Sequence, residues 1–284
     1  MSQDDVRKLE LQQEYGLSYH IDYAFFAEQL VGLKGKRVLE VGGSLPERFV
    51  INDLSAKQWL GLEETDYWAE TLSTGQVLGT PPTLSGDKHY FSQAMPEDLG
   101  SYRVCYGRIE DLPSALEGYF DVVFSIAAFE HIARLPLALD KMHRALKPAG
   151  KLFSLFAPIW SSYNGHHLPE IVDKSGNHWN FGNSPIPPWG HLFLSQIELY
   201  DLLCRTCDRE TAQEIVYFVY SSPHINRFFL EDYFNIVNRS PFAIEKMTPM
   251  FQMPIPDAVQ KALAVRYPGK DFSCSGLLLV LKSS

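Results

Sequence analysis

Cysteine is scarce in this chain: four residues in 284, at positions 105, 204, 207 and 274. So sparse a set makes no disulfide framework and suits a reducing compartment. Cys204 and Cys207 form a C-x2-C pair, but no second pair completes a zinc site. They follow the helical pattern 197–203, and both read as buried thiols. Long hydrophobic runs are also missing. The longest are about ten residues, too short to cross a bilayer, and residues 1–14 are polar, without the apolar stretch of a signal peptide. The expectation is a soluble, cytoplasmic protein with no membrane partner. Positive charge is in deficit, with 25 Lys and Arg against 34 Asp and Glu and a net charge of -9. With no basic cluster to meet a phosphate backbone, no nucleic-acid partner is expected. Internal repeats and low-complexity tracts are absent as well.

What the chain does have is enough apolar residue, 45% with 13% aromatic, to bury a full core. One domain over 1–284 is expected. Apolar residues at helical spacing predict a helix over 20–32 that stops at Gly32. Five apolar segments then predict strands at 37–42, 57–63, 102–106, 120–125 and 151–156, with a helix starting near Leu45-Pro46 and another over 136–147. Strands alternating with helices imply a parallel, doubly wound α/β sheet. Further helices are expected at 195–206 and within 224–240, and strand-like runs close the chain at 242–251 and 276–281. Two stretches, 65–100 and 158–193, lack periodicity and are rich in Pro, Gly or aromatic residues, a pattern that often marks function.

The run Val38-Leu39-Glu40-Val41-Gly42-Gly43-Ser44 reads as a buried strand ending in an acid and two glycines. Alone it is compatible with many nucleotide-binding α/β proteins, or with a tight turn. It lacks the G-x-G-x-x-G spacing that a nicotinamide dehydrogenase prefers. Four more segments follow in order: Gly61-Leu62-Glu63, then 107–113 (Gly-Arg-Ile-Glu-Asp-Leu-Pro), then 120–132 ending in Phe129-Glu130-His131-Ile132, and 144–152 around Lys147-Pro148-Ala149-Gly150. Together they resemble the class I S-adenosylmethionine-dependent methyltransferases of the small-molecule branch, over residues 35–157.

The resemblance implies a Rossmann-like seven-stranded, mostly parallel sheet with helices on both faces and an antiparallel last strand. The two terminal strand-like runs would be its sixth and seventh strands. Residues 1–34 would form a lid, 35–157 the cofactor core, 158–240 the substrate side and 241–284 the final strands. The cofactor would be S-adenosylmethionine, leaving as S-adenosylhomocysteine, across the carboxyl ends of the first strands. Glu40 would sit near its methionine amino group, with Gly42 and Gly43 giving close backbone approach. Glu63, or Glu64 in its place, would accept the ribose hydroxyls, Ile109 and Glu110 would flank the adenine, and Ser125 to Ala127 would line the methionine side. Tyr15 and Tyr19 are lid candidates. Two positions depart from the family's pattern: Ser44 stands where a glycine is common, and Arg108 where an aspartate often meets adenine.

Methyl transfer to an alcohol or phenol needs a base, and histidine titrates in the right range. His131 follows the fourth strand, and His166 and His167 follow the fifth. Two adjacent residues of an extended segment point to opposite sides, so one of His166 and His167 should face the methyl group. Trp160, Tyr163, Trp179 and Trp189 could wall a pocket for a ring or sugar. His224 and Arg227 could meet a polar substrate from the far side. No metal is expected: His178, His191, Glu170 and Asp173 lie near the other histidines, but no tight ligand spacing joins them. The expected activity is methyl transfer to a small-molecule acceptor, an oxygen of a sugar-containing, phenolic or polyketide-like metabolite. Alternatives are a non-catalytic cofactor-binding scaffold, then an N-methyltransferase or a nucleic-acid methyltransferase. A homodimer stays open.

Overall fold

The computed structural model describes residues 3–43, 45–64 and 89–284. Ser44 and the greater part of the 65–100 stretch therefore lie outside the described residues. The chain runs α1 (Gln3–Tyr15), α2 (Tyr19–Val31), β1 (Arg37–Val41), β2 (Gln58–Glu63), β3 (Tyr102–Tyr106), β4 (Phe120–Ile126), α3 (Leu135–Ala145) and β5 (Leu146–Phe156). After a small hairpin, Ile171–Val172 with His178–Trp179, come α4 (Gln196–Leu203), α5 (Arg209–Tyr220), α6 (Leu230–Asn238), β6 (Ala243–Gln252), α7 (Asp257–Arg266) and β7 (Cys274–Lys282).

Seven strands form one sheet in the order β3-β2-β1-β4-β5-β7-β6. The first five are parallel. β7 runs antiparallel to both β5 and β6. This is the seven-stranded sheet that the resemblance implies, and its last strand is the reversed one.

Alternation along the strands explains why both faces are covered. Leu39, Val123, Leu152 and Leu279 pack to one side with Ala138, Leu139 and Met142 of α3 and with Tyr233 and Val237 of α6. Val38, Val122, Phe124, Phe153 and Val280 pack to the other with Ile21, Ala24 and Ala27 of α2. Period-two alternation with apolar residues on both faces is what a sheet sandwiched by helices requires. Each such buried side chain contributes roughly 1.5–3 kcal/mol.

Other expectations need correction. The helix expected at Leu45-Pro46 is reduced to a widened turn, Phe49–Asp53, whose last amide is met by Leu54 N–H bonding back to Phe49 O at 2.9 Å. The 224–240 helix is shortened to Leu230–Asn238, because residues 222–228 fold as a turn. Helix α5 was not anticipated, although Asp208 caps it through the amides of Glu210 and Thr211 at 3.1 and 3.2 Å and Ala212, Ile215, Phe218 and Val219 make its buried stripe. Cys204 is exposed, contrary to the buried-thiol reading, because α4 ends there.

The aromatic 158–193 stretch mostly fills a core of its own. Trp160 and Trp189 are 7% and 4% exposed and pack with Leu199, Ile215, Phe218 and Leu263. Those tryptophans are structural mass of the substrate-side layer rather than pocket walls.

Asn226 fastens that layer to the sheet. Its backbone N–H donates to Glu130 O at 2.9 Å, and its side-chain amide donates to Phe129 O and Ile132 O at 2.7 and 3.2 Å. Its own carbonyl oxygen accepts from the Tyr233 hydroxyl at 2.9 Å. Replacing Asn226 with alanine strands these partners and should cost roughly 2–4 kcal/mol. Urea unfolding of Asn226→Ala checks this; a stability within 0.5 kcal/mol of wild type, roughly what an exposed surface change gives, would show that the clamp is dispensable.

Candidate active site

The carboxyl ends of β1, β2 and β4 converge on a group of buried acids and glycines. Glu40 on β1 is 5% exposed. One of its oxygens accepts from the Leu45 amide at 2.9 Å and from the Trp59 indole N–H at 2.6 Å. Burial, opposed by those two donors and joined by the nearby charge of Glu63, lifts its carboxyl to about 7. Glu63 ends β2 and is also 5% exposed. Gly42 has φ +90°, and a Cβ there would stand 2.2 Å from Ala128 Cβ, so only glycine lets the β1 and β4 turns close on each other. Ser125 ties the same two strands, donating to Val41 O at 2.8 Å.

Beyond β4 the turn Phe129–His131 carries a second group. Glu130 has no exposed surface, and neither carboxylate oxygen makes a well-formed hydrogen bond. Burial pushes its carboxyl up to about 8, with partial opposition from the amides of Glu130 itself and Ala157. His131 Nδ1–H donates to His224 O at 2.6 Å, which leaves Nε2 as the basic nitrogen. Burial lowers its imidazole to about 4. His167 stacks edge-on against it, centroids 4.4 Å apart, and His224 lies at 5.2 Å. His167 is also held well below the usual histidine range by burial and by its histidine neighbours. At neutral pH these imidazoles are uncharged.

The N-terminal helices come up to this group. Tyr19 stacks on His20 at 4.0 Å and lies 5.3 Å from Tyr23. Burial and the Glu130 charge push its phenol up to about 12. Tyr15, the other lid candidate, instead donates to Asp53 at 3.1 Å, beside the Arg7–Asp53 pair, and so fastens α1 to the turn after β1.

Residues 67–154 match the profile of a family described as a methyltransferase domain. The sheet order, with its reversed strand inserted between β5 and β6, is the one that such a domain calls for. The matched stretch, under a third of the chain, is thus similar to a methyltransferase domain. No curated protein matches this chain in sequence. Among solved structures it is similar to an S-adenosylmethionine-dependent methyltransferase from Mesorhizobium loti, with 16% identity, 92% of this chain and 97% of that one covered, and a TM-score of 0.46. A methyltransferase in complex with the Trm112 methyltransferase activator of Haloferax volcanii is similar at 16% identity, 99% and 95% coverage and a TM-score of 0.46. A proposed S-adenosylmethionine-dependent methyltransferase from Listeria monocytogenes gives 16%, 89% and 92%, and 0.43. With TM-scores this low, these likenesses bear no weight on acceptor or partner.

The strand ends of this chain gather buried acids that would suit a positively charged group. Glu40 is buried with N–H donors but no cationic side chain among its contacts, so an amino group at this end would favour its charged form. Of the adenine candidates, Ile109 is 2% exposed and packed into the sheet core, which leaves little of it to cover a base. Glu110 lies 3.7 Å from Arg134, and Arg108 pairs with Glu64 at 2.5 Å, so Arg108 is engaged by the acid next to Glu63. Ala127 adopts φ +48° where the chain turns off β4, its amide bonded to Leu155 O at 3.0 Å.

Of the histidines weighed as bases, His131 and His167 come together and His166 lies elsewhere. His166 packs against His191 at 5.6 Å, and its Nδ1 accepts from the Leu168 amide at 3.1 Å. The two adjacent histidines go to different neighbours, but the segment is a turn with His167 at φ +46° rather than the extended run that was expected. Arg227 donates to the carbonyls of Val219, Ile225, Phe218 and Ser222. It closes the end of α5 rather than facing a substrate, since cations suit carbonyls at a helix C-terminus. The four loop residues weighed as a metal set do not converge. His178 pairs with Glu170 at 2.7 Å, Asp173 takes Asn177 and Trp179, and His191 donates to Trp160 O at 2.8 Å. Glu130 was missed as a functional residue. Its signal was present, an acid beside a histidine directly after an apolar strand.

A raised carboxyl makes stability depend on pH in one direction. Glu40 has a folded value of about 7 against 4.5 in the unfolded chain, so its contribution is full below about 4.5 and is lost as pH rises through about 7, on the order of 3 kcal/mol. Urea unfolding of the cofactor-free protein at pH 5 and pH 8 should therefore show a smaller loss in Glu40→Gln than in wild type. Equal losses in both would mean that Glu40 is not held neutral.

Proposed function

We propose that this methyltransferase moves the methyl group of S-adenosylmethionine to an oxygen nucleophile of a small molecule, sugar-containing, phenolic or polyketide-like. One observation carries the reading: two neutral imidazoles, His131 and His167, and a buried carboxyl, Glu130, meet at the end of β4. In the cofactor, the sulfonium supplies an activated methyl carbon. The acceptor oxygen bonds to that carbon, the carbon–sulfur bond breaks with its electron pair going to sulfur, and the hydroxyl proton is removed. The chain's part is alignment, exclusion of water and removal of that proton. The cluster supplies the proton-accepting lone pairs. Glu40 and Glu63 receive the cofactor's amino and ribose ends, Gly42, Gly43, Ser125 and Ala127 line its methionine side, and Tyr19 covers the site.

Acceptor size and setting follow from the same features. The acidic net charge of -9 favours a small molecule over nucleic acid. None of the described helices is long and apolar enough to cross a membrane, and four free thiols suit the cytoplasm.

His131→Ala and His167→Ala should each bind the cofactor as wild type does, by calorimetry, and lose turnover by about 100- to 10,000-fold, the range for a lost acid–base group. A panel of hydroxylated acceptors, followed by release of S-adenosylhomocysteine, reads this out. Wild-type rates in both variants would reject an oxygen acceptor that needs proton removal here.

A further inference from the structure

Glu130, His131 and His167 each present a ligand-type atom, all within 4.8 Å of one another. Among the described residues this is the one such group. Its chemistry asks for a positive charge. Both oxygens of Glu130 are cut off from water and make no well-formed hydrogen bond, with only the amides of Glu130 and Ala157 nearby and, among the described residues, no cation beside them, and a buried carboxylate is tolerated only when paired or coordinated. His167 Nδ1 is likewise buried without a partner, on a residue held at φ +46°, a conformation that side chains adopt at a cost. His131 already has the outer contact of a ligating histidine: its Nδ1–H is spent on the His224 carbonyl, which orients the ring with Nε2 inward.

We propose that Glu130, His131 and His167 hold one divalent first-row transition-metal cation, of which zinc is the best fit. Two imidazoles and one carboxylate suit such a borderline cation better than magnesium or calcium, which prefer all-oxygen shells. Three protein ligands leave a fourth position open, the arrangement of a reactive rather than a structural site. The proposal rests on the oxygen-acceptor reading above and refines its agent. The acceptor hydroxyl takes the open position, coordination lowers its pKa, and its proton passes to bulk water. The resulting alkoxide attacks the methyl carbon, and the carbon–sulfur bond breaks with its electrons on sulfur. The imidazole lone pairs are then on the cation, and a free histidine base is not needed.

The test uses the full chain, stripped with a chelator and titrated with Zn2+, with Mn2+ and Mg2+ as comparison probes. Equilibrium dialysis should show one Zn2+ per chain, with a rise in Tm on loading. Glu130→Gln and His167→Ala should each weaken that binding by roughly 100-fold or more while still binding S-adenosylmethionine, which shows that they are folded. No saturable binding, or binding unchanged in both variants, overturns the proposal. Full turnover by the stripped enzyme also overturns it and leaves the free-imidazole reading standing. Stoichiometric Zn2+ binding that depends on the three residues supports the site even if no oxygen acceptor is ever methylated, which would sink the acceptor reading alone.

Discussion

The site depends on one set of hydrogen bonds, those that hold the turn after β4 against the loop 222–228. Asn226 occupies three carbonyls or amides of that turn, and His224 offers its own carbonyl to His131. The turn carries Glu130 and His131, so their positions are set by residues about 95 places later in the chain. The loop in turn is braced by Arg227, whose guanidinium gathers carbonyls at the end of α5, and by the buried Tyr233 of α6. The backbone carbonyls and the Asn226 amide in this chain of contacts are matched, which helps a buried polar network to hold one geometry. The layer that was expected only to cover a substrate thus also builds the floor beneath it.

The second theme is charge placed where water is not. Glu40, Glu63 and Glu130 are all nearly or fully buried, and two of them are held neutral or nearly so by that burial. A fold gains nothing from such acids alone, since each would be better in water. They make sense as a receptor for positive charge, and a sulfonium cofactor with an amino group brings two such charges. On the proposed reading the acids would complement that charge, and the uncharged imidazoles beside Glu130 would add no competing cation.

Much of this was readable from residues alone, for physical reasons. The strands showed because the sheet is buried on both sides, which writes runs such as Phe120-Asp121-Val122-Val123-Phe124 into the chain. Glu40 and Gly42 showed because strand-end geometry is local. What did not show is what depends on contact across the chain. The clamp by Asn226 has no local signature, and neither does the convergence of His167 on His131, whose neighbours are 36 positions apart in the sequence. The tryptophans misled because aromatic side chains serve a core as well as a pocket, and only packing separates the two. Arg227 misled in the same way: an arginine near polar residues looks like a substrate contact until its donors are found on backbone carbonyls.

The reversed strand β7 has one more consequence, for the order in which the molecule can take shape. It lies between β5 and β6 and supplies the hydrogen-bonding partners of both, yet it follows every other element in the chain. Until residues 274–282 are available, β5 has an open edge and β6 has no neighbour at all. A chain emerging from a ribosome therefore carries an exposed, largely apolar border, Leu152 to Phe156, from the making of β5 until the last strand appears. Such a border is sticky, so this architecture places its strongest demand for chaperoning or speed on the last step of assembly, long after the cofactor-binding strands have been made.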